Sequence, residues 1–263
     1  MTNHTGKRHR TKVYQSLAST LVTLPRGVMG TPYPKQPEKP LKLYEFEACP
    51  YCRRVRDVIT RLNLDVEIYP CPKNGTRFRP MVQALGGQAQ FPFLIDENTG
   101  DQLYESKAII AHLFTHYSHK GKVPLSYQLL PPVSLVGGIA VAVNSFDGMT
   151  ANANNVNREA PEQLLDLWSF EASPFSRIVR AKLTELEIPY KLHNVPKERW
   201  QDQGPANARL KPGKYEPLAD GKRAQELEKM QGKMQVPFLI DPNTGVEMFE
   251  SRQIVKYLDK QYG

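Results

Sequence analysis

The chain has 263 residues, enough to bury one large core or two modest ones. Its apolar share of 40% is that of a globular protein. Three cysteines are too few for a disulfide scaffold, and no stretch reaches the ~20 apolar residues of a spanning helix. The formal net charge of +8 favours anionic partners in general, but no nucleic-acid motif accompanies it.

Residues 1–40 form a basic, proline-containing segment. Lys7, Arg8, Arg10, Lys12, Arg26 and Lys35 all precede the first acidic residue, Glu38, and no apolar run follows the basic start. That composition fits a basic tail on a cytoplasmic protein or the transit peptide of a plastid or other organelle, and not a secretory signal. With Pro32, Pro34, Pro37 and Pro40 the segment is expected to be peripheral or poorly ordered.

The first unit, 41–120, opens with an apolar strand over 41–47. A helix is expected over 51–62, with Val55, Val58, Ile59 and Leu62 at helical spacing. A second strand follows near 65–70, then a less regular helical region around 77–85. A hairpin comes next, from Phe93 to Ile95 and from Gln102 to Tyr104, turning through Asn98-Thr99-Gly100. A last helix covers 106–117. The connecting segment, 121–163, is rich in Pro, Gly and Asn. Its most apolar part, 129–143, is interrupted by Pro131, Pro132, Gly137 and Gly138 and reads as a buried linker element.

The second unit, 164–263, repeats the first. Leu43-Tyr44-Glu45-Phe46-Glu47-Ala48 returns as Leu167-Trp168-Ser169-Phe170-Glu171-Ala172, and Arg53, Val55 and Arg56 return as Arg177, Val179 and Arg180. Pro92-Phe93-Leu94-Ile95-Asp96 returns as Pro237-Phe238-Leu239-Ile240-Asp241, and Glu105-Ser106 as Glu250-Ser251. So many matches in one order define an internal repeat. Its strands fall at 165–171 and 189–194 and its helices at 175–186, 219–229 and 251–261. Both copies read βαβ-α-ββ-α, an α/β unit with a mixed sheet.

The copies differ where chemistry is concentrated. Cys49-Pro50-Tyr51-Cys52 in the first becomes Ser173-Pro174-Phe175-Ser176 in the second. A cysteine just before the first helical turn meets unpaired N–H groups and the positive end of the helix dipole, which stabilise a thiolate. Pro50 suits the first helical position, and Arg53 and Arg54 are expected to add positive charge. Cys49 would attack and Cys52 would resolve. The alternatives are an inert pair or part of a metal or iron–sulfur site, although no second Cys-x-x-Cys or spaced His pair completes a zinc set. Cys71, between Pro70 and Pro72, reads as a strand-end cysteine. His112, His116 and His119 lie near a helix end. The His112–His116 spacing suits a metal, but no Glu or Cys partner is evident; a solvated helix face, and no metal, is expected.

These motifs resemble the thioredoxin fold in its glutaredoxin and glutathione-transferase N-terminal branch, over about 41–117 and 165–262. The resemblance implies two tandem thioredoxin-like domains, with no all-helical transferase domain after either copy. It implies cis prolines at Pro92 and Pro237, with Phe91 and Val236 offering backbone groups to glutathione. Glu105-Ser106 and Glu250-Ser251 match the pair that holds the γ-glutamyl end, although each serine alone also reads as a helix N-cap. Tyr51 joins the first-copy set. Ser173 matches the serine that meets the glutathione thiolate in serine-type transferases.

The expected function is a glutathione-dependent thiol–disulfide oxidoreductase acting through Cys49, with glutathione as co-substrate and thiols or disulfides as partners. A transferase-like activity through Ser173 or Cys49 is one alternative. A non-catalytic glutathione-binding or scaffold protein is the other.

Overall fold

The computed structural model describes residues 2–22, 26–128, 139, 142–153, 159–204, 210 and 215–263, with side chains of the first helix described over 9–19. The apolar stretch 129–143 lies largely outside the described residues.

In the first copy, β1 (Leu41–Glu45) has Leu41, Leu43 and Tyr44 buried, as a strand covered on both faces requires. Helix α2 (Pro50–Leu62) starts on its proline and ends where Asn63 turns left-handed, its N–H donating to the Ile59 and Thr60 carbonyls. Strand β2 (Val66–Pro70) runs parallel to β1. Helix α3 (Arg79–Gly86) leads to the hairpin β3 (Phe93–Asp96) and β4 (Asp101–Tyr104), with β3 antiparallel to β1. Helix α4 (Ser106–Tyr117) closes the copy, and a four-residue helix, α5 (Leu125–Gln128), follows.

The second copy repeats this with β5 (Leu165–Ser169), α6 (Pro174–Glu185), β6 (Tyr190–Asn194), α7 (Lys222–Lys229), β7 (Phe238–Asp241), β8 (Val246–Phe249) and α8 (Ser251–Tyr262). Each copy is thioredoxin-like. The predicted elements hold, with shifts at their ends of up to three residues.

The copies are not independent beads. Strand β2 pairs antiparallel with β6, setting Glu67 opposite Lys191, so the eight strands among the described residues form one sheet in the order β4-β3-β1-β2-β6-β5-β7-β8. One continuous apolar cluster takes Leu43, Ile59 and Leu113 from the first copy and Leu167, Leu183 and Leu258 from the second. The arm before each copy also crosses to the other. Met29 bridges to Lys197, while Thr150 bridges to Lys73. Gly27 (φ 72°) and Gly148 (φ 77°) press on Glu171 and Glu47; a Cβ on either glycine would lie 2.8 Å from the glutamate Cβ.

The N-terminal segment departs from expectation. Residues 2–22 form helix α1 (Thr2–Val22), which packs along α6. Arg177 donates to the Ser16 carbonyl at 2.8 Å, Arg53 to Ser19 Oγ at 2.7 Å, and Lys12 pairs with Asp147 at 2.9 Å. Ser16 and Ser19 are buried. These docking partners come from distant parts of the chain, so local composition does not reveal them. Among the described residues no helix is long and apolar enough to cross a membrane.

A buried charge network joins the copies, each copy's arginine reaching the other's glutamate. Arg56 Nε donates to Glu171 Oε2 at 2.9 Å, and Arg180 Nε donates to Glu47 Oε2 at 3.0 Å. Arg56 also pairs with Glu45, and Arg180 with Glu171 at 3.0 Å. Arg53 and Arg177 flank the same carboxylates. Burial alone would raise Glu171, but Arg56, Arg180, Arg177 and Arg53 hold it well below the ordinary carboxylate range.

Candidate functional site

Cys49 is the N-cap residue of α2. Its backbone is extended, and its Sγ accepts the Cys52 backbone N–H at 3.2 Å. All three cysteines are thiols. The Cys49 thiol is lowered from its ordinary value. The main cause is a hydrogen bond from the Cys52 side chain; burial opposes it, and the backbone N–H groups of Cys52 and Tyr51 assist. Cys52, fully buried and donating to Cys49, is pushed well above its ordinary value. The two thiols are thus shifted in opposite directions. Burial likewise pushes Cys71 up; its thiol donates to the Tyr69 carbonyl at 3.5 Å.

Arg53 is held by Ser19 and by Glu171 across the copies, and the leading causes that lower Cys49 are hydrogen bonds from Cys52 and Tyr51. Glu45, buried beneath the dithiol, acts in the opposite sense on both cysteines. Burial keeps Glu45's own carboxyl raised, to about 7.

Register brings the remaining first-copy residues to the same end of the sheet. Tyr44 pairs with Phe93, and Phe93 with Tyr104. The loop after β1 (Cys49, Tyr51, Cys52), the loop before β3 (Phe91, Pro92) and the segment after β4 (Glu105, Ser106) therefore share one edge. The Phe91–Pro92 bond is cis. The Phe91 ring meets Phe46 edge-on with centroids 6.3 Å apart. Tyr51 is half exposed, whereas Cys49 is only 4% exposed.

Glu105 occupies the N-cap position of α4 and Ser106 the first helical position, so the capping role open to Ser106 from sequence falls to Glu105, which makes no side-chain cap bond. Glu105 sits at φ 65°, a conformation that costs a non-glycine residue of order 1–3 kcal/mol. Gln90 donates to its carboxylate. Glu250 repeats this geometry at φ 70°, with Gln235 donating to it at 2.6 Å. The same strain at the same position of both copies marks the Glu-Ser corner as a built feature.

In the second copy Ser173 caps α6, accepting the Ser176 N–H at 3.3 Å and the Ser176 hydroxyl at 2.9 Å. The Val236–Pro237 bond is cis. Here α1 reaches the corner: His9 lies 3.2 Å from Ser251 Oγ.

Two residues near the site escape sequence reasoning. Arg79 stacks on the Phe91 ring at 4.7 Å and donates through Nε to the Cys71 and Pro72 carbonyls. His9 reaches Ser251 only because α1 folds back. Neither belongs to a repeated motif, so no sequence signal finds them. One histidine differs from expectation, while His116 and His119 are exposed as expected. His112 is buried on Asp96 at 2.7 Å rather than solvated, and His119 donates to the Tyr33 carbonyl at 2.7 Å.

Two thioredoxin-like units, one of them with a thiol at a helix start and a cis proline at the same end of the sheet, define the class of fold. The family model of the glutathione S-transferase N-terminal domain matches residues 43–121 and again 167–263, more than half of the chain. The chain belongs to that family, and a glutathione-related thiol function goes with it. No curated protein and no solved structure gives a significant match.

Proposed function

We propose that the chain is a glutathione-dependent thiol–disulfide oxidoreductase acting through Cys49. The observation that carries this is the Cys49 sulfur at the start of α2, accepting the Cys52 N–H at 3.2 Å and lowered from its ordinary thiol value while Cys52 is raised. The thiolate attacks the glutathione sulfur of a mixed disulfide. A Cys49–glutathione disulfide forms, and the substrate sulfur leaves as a thiolate that takes a proton from water. A second glutathione thiolate then attacks the glutathione sulfur of that adduct, releasing oxidised glutathione and restoring Cys49; alternatively Cys52 displaces glutathione and closes the dithiol to a disulfide.

Glutathione lies, in this reading, along the edge formed by Tyr51, Phe91, Pro92, Glu105 and Ser106. The Phe91 backbone pairs with its cysteinyl part. Glu105 meets its ammonium group, and Ser106 with the first N–H groups of α4 receives its γ-glutamyl carboxylate. The small exposure of Cys49 favours a small disulfide over a folded protein. The second-copy set, Ser173, Val236, Pro237, Glu250 and Ser251, we read as a packing partner, because α1 reaches Ser251 and Ser173 is engaged by Ser176.

The test is reduction of a glutathione mixed disulfide by the purified chain. Cys49→Ser should fall to background, and mass spectrometry after exposure to oxidised glutathione should place one adduct on Cys49. Undiminished turnover in Cys49→Ser would reject the reading.

A further inference from the structure

The repeat supplies its own control for a second cluster, at the other end of the first copy's sheet from Cys49. Asp96 and Asp241 are equivalent, fully buried carboxylates at the two hairpins. In both copies the following Asn donates its backbone and side-chain N–H groups to Oδ1. In the second copy two phenols complete the site: Tyr257 and Tyr262 each donate to Asp241 Oδ2 at 2.6 Å. In the first copy Tyr117 fills the role of Tyr262 at 2.6 Å, and His112 takes the place of Tyr257.

A phenol thus suffices to hold the buried aspartate, and the fold does not call for an imidazole. What the imidazole adds is a second nitrogen. With Nε2 donating to Asp96, Nδ1 points outward and lies 3.5 Å from Asp101 Oδ2. A carboxylate oxygen that close to a ring nitrogen can be bridged by a proton or by a metal cation. His116, one turn along α4, brings its ring to 4.5 Å from that of His112, centroid to centroid. The ligand atoms of Asp101, His112 and His116 all lie within 4.8 Å of one another. The second copy has Val246 and Gln261 at the positions of Asp101 and His116, so the whole set is confined to one copy.

We propose that Asp101, His112 and His116 bind one divalent transition-metal ion of the zinc class. Two imidazoles and a carboxylate are the donors that zinc and its neighbours take. Tetrahedral zinc at 2.0–2.1 Å from each ligand sets them about 3.3 Å apart, which the Asp101–His112 pair already approaches. Rotation of the exposed His116 and of Asp101 closes the rest. Asp96 orients His112 from behind, as carboxylates do for metal-bound histidines. The ion would clip the β3–β4 hairpin to α4 and keep a coordination position open to water. Sequence spacing alone stops at the His112–His116 pair, because Asp101 joins it only across the hairpin.

The full chain, with its thiols reduced, is titrated with Co2+ and the visible spectrum followed, then back-titrated with Zn2+. One cobalt per chain is expected, displaced by zinc, without thiolate charge-transfer bands in the near ultraviolet. His116→Gln and Asp101→Val exchange exposed side chains for the second copy's residues and should each weaken binding by at least about tenfold. No cobalt spectrum, thiolate bands with the bound ion, or undiminished affinity in both variants would overturn the site. The readout is independent of the dithiol, so its failure leaves the oxidoreductase reading standing.

Discussion

The two copies share a backbone plan and differ in what they mount on it. Both keep the strand pattern, the cis proline, the strained Glu-Ser corner and the buried hairpin aspartate. Only the first carries sulfur at the helix start and a second imidazole nitrogen beside an exposed carboxylate. In the second, serines bond to each other and a helix from the N-terminus reaches Ser251. The difference separates what both copies need in order to fold from what is particular to one: features present twice hold the architecture, and the proposed chemistry rests on features present once.

The largest effect should come from exchanging residues at the two helix starts. Cys49→Ser abolishes reduction of a glutathione mixed disulfide, while Ser173→Ala leaves turnover unchanged within about twofold; equal losses would show that both copies work together. Next is the charge network that locks the copies. Glu171→Ala strands buried guanidinium groups and should cost about 3–5 kcal/mol in chemical denaturation. Because Glu171 is depressed in the folded state, its contribution is complete above the ordinary value of 4.5 and fades as pH falls below it. The wild type should lose stability in that acid range, and Glu171→Ala should lose less. An equal acid loss in both would assign the effect to other carboxyls.

A smaller effect is expected in thiol alkylation followed against pH. Cys49 should react with an inflection below the ordinary thiol value of ~8.5, with Cys52 and Cys71 unreactive through the same range. Peptide mapping of the adduct separates the three. The smallest and sharpest change is a graft. Val246→Asp, Tyr257→His and Gln261→His together should give the second copy a cobalt site of its own, read as a rise in stoichiometry from one to about two per chain.

Much of this was legible from residues alone. Pro50 at the start of α2, the apolar run along β1, and Asn-Thr-Gly in each hairpin act through their own backbone preferences and immediate neighbours. The repeat placed the Glu-Ser pairs in order, and the family resemblance implied the cis prolines. The partners of Arg53, Ser19 and Glu171, were not legible because they lie far away in sequence. The docking of the N-terminal helix was missed for the same reason, since Ser16 and Ser19 are buried against Arg177 and Arg53, far away in sequence.

The amino-acid order by itself determined the two-fold repeat, the element types and the position of the dithiol, because local periodicity, turn chemistry and helix capping are short-range. Tertiary structure alone decided that the copies share one sheet, that their arms cross and exchange ion-pair partners, and that an aspartate from a hairpin faces two histidines on a helix. Such long-range pairings are set by packing and by the need to satisfy buried charge, and neither leaves a mark in neighbouring residues.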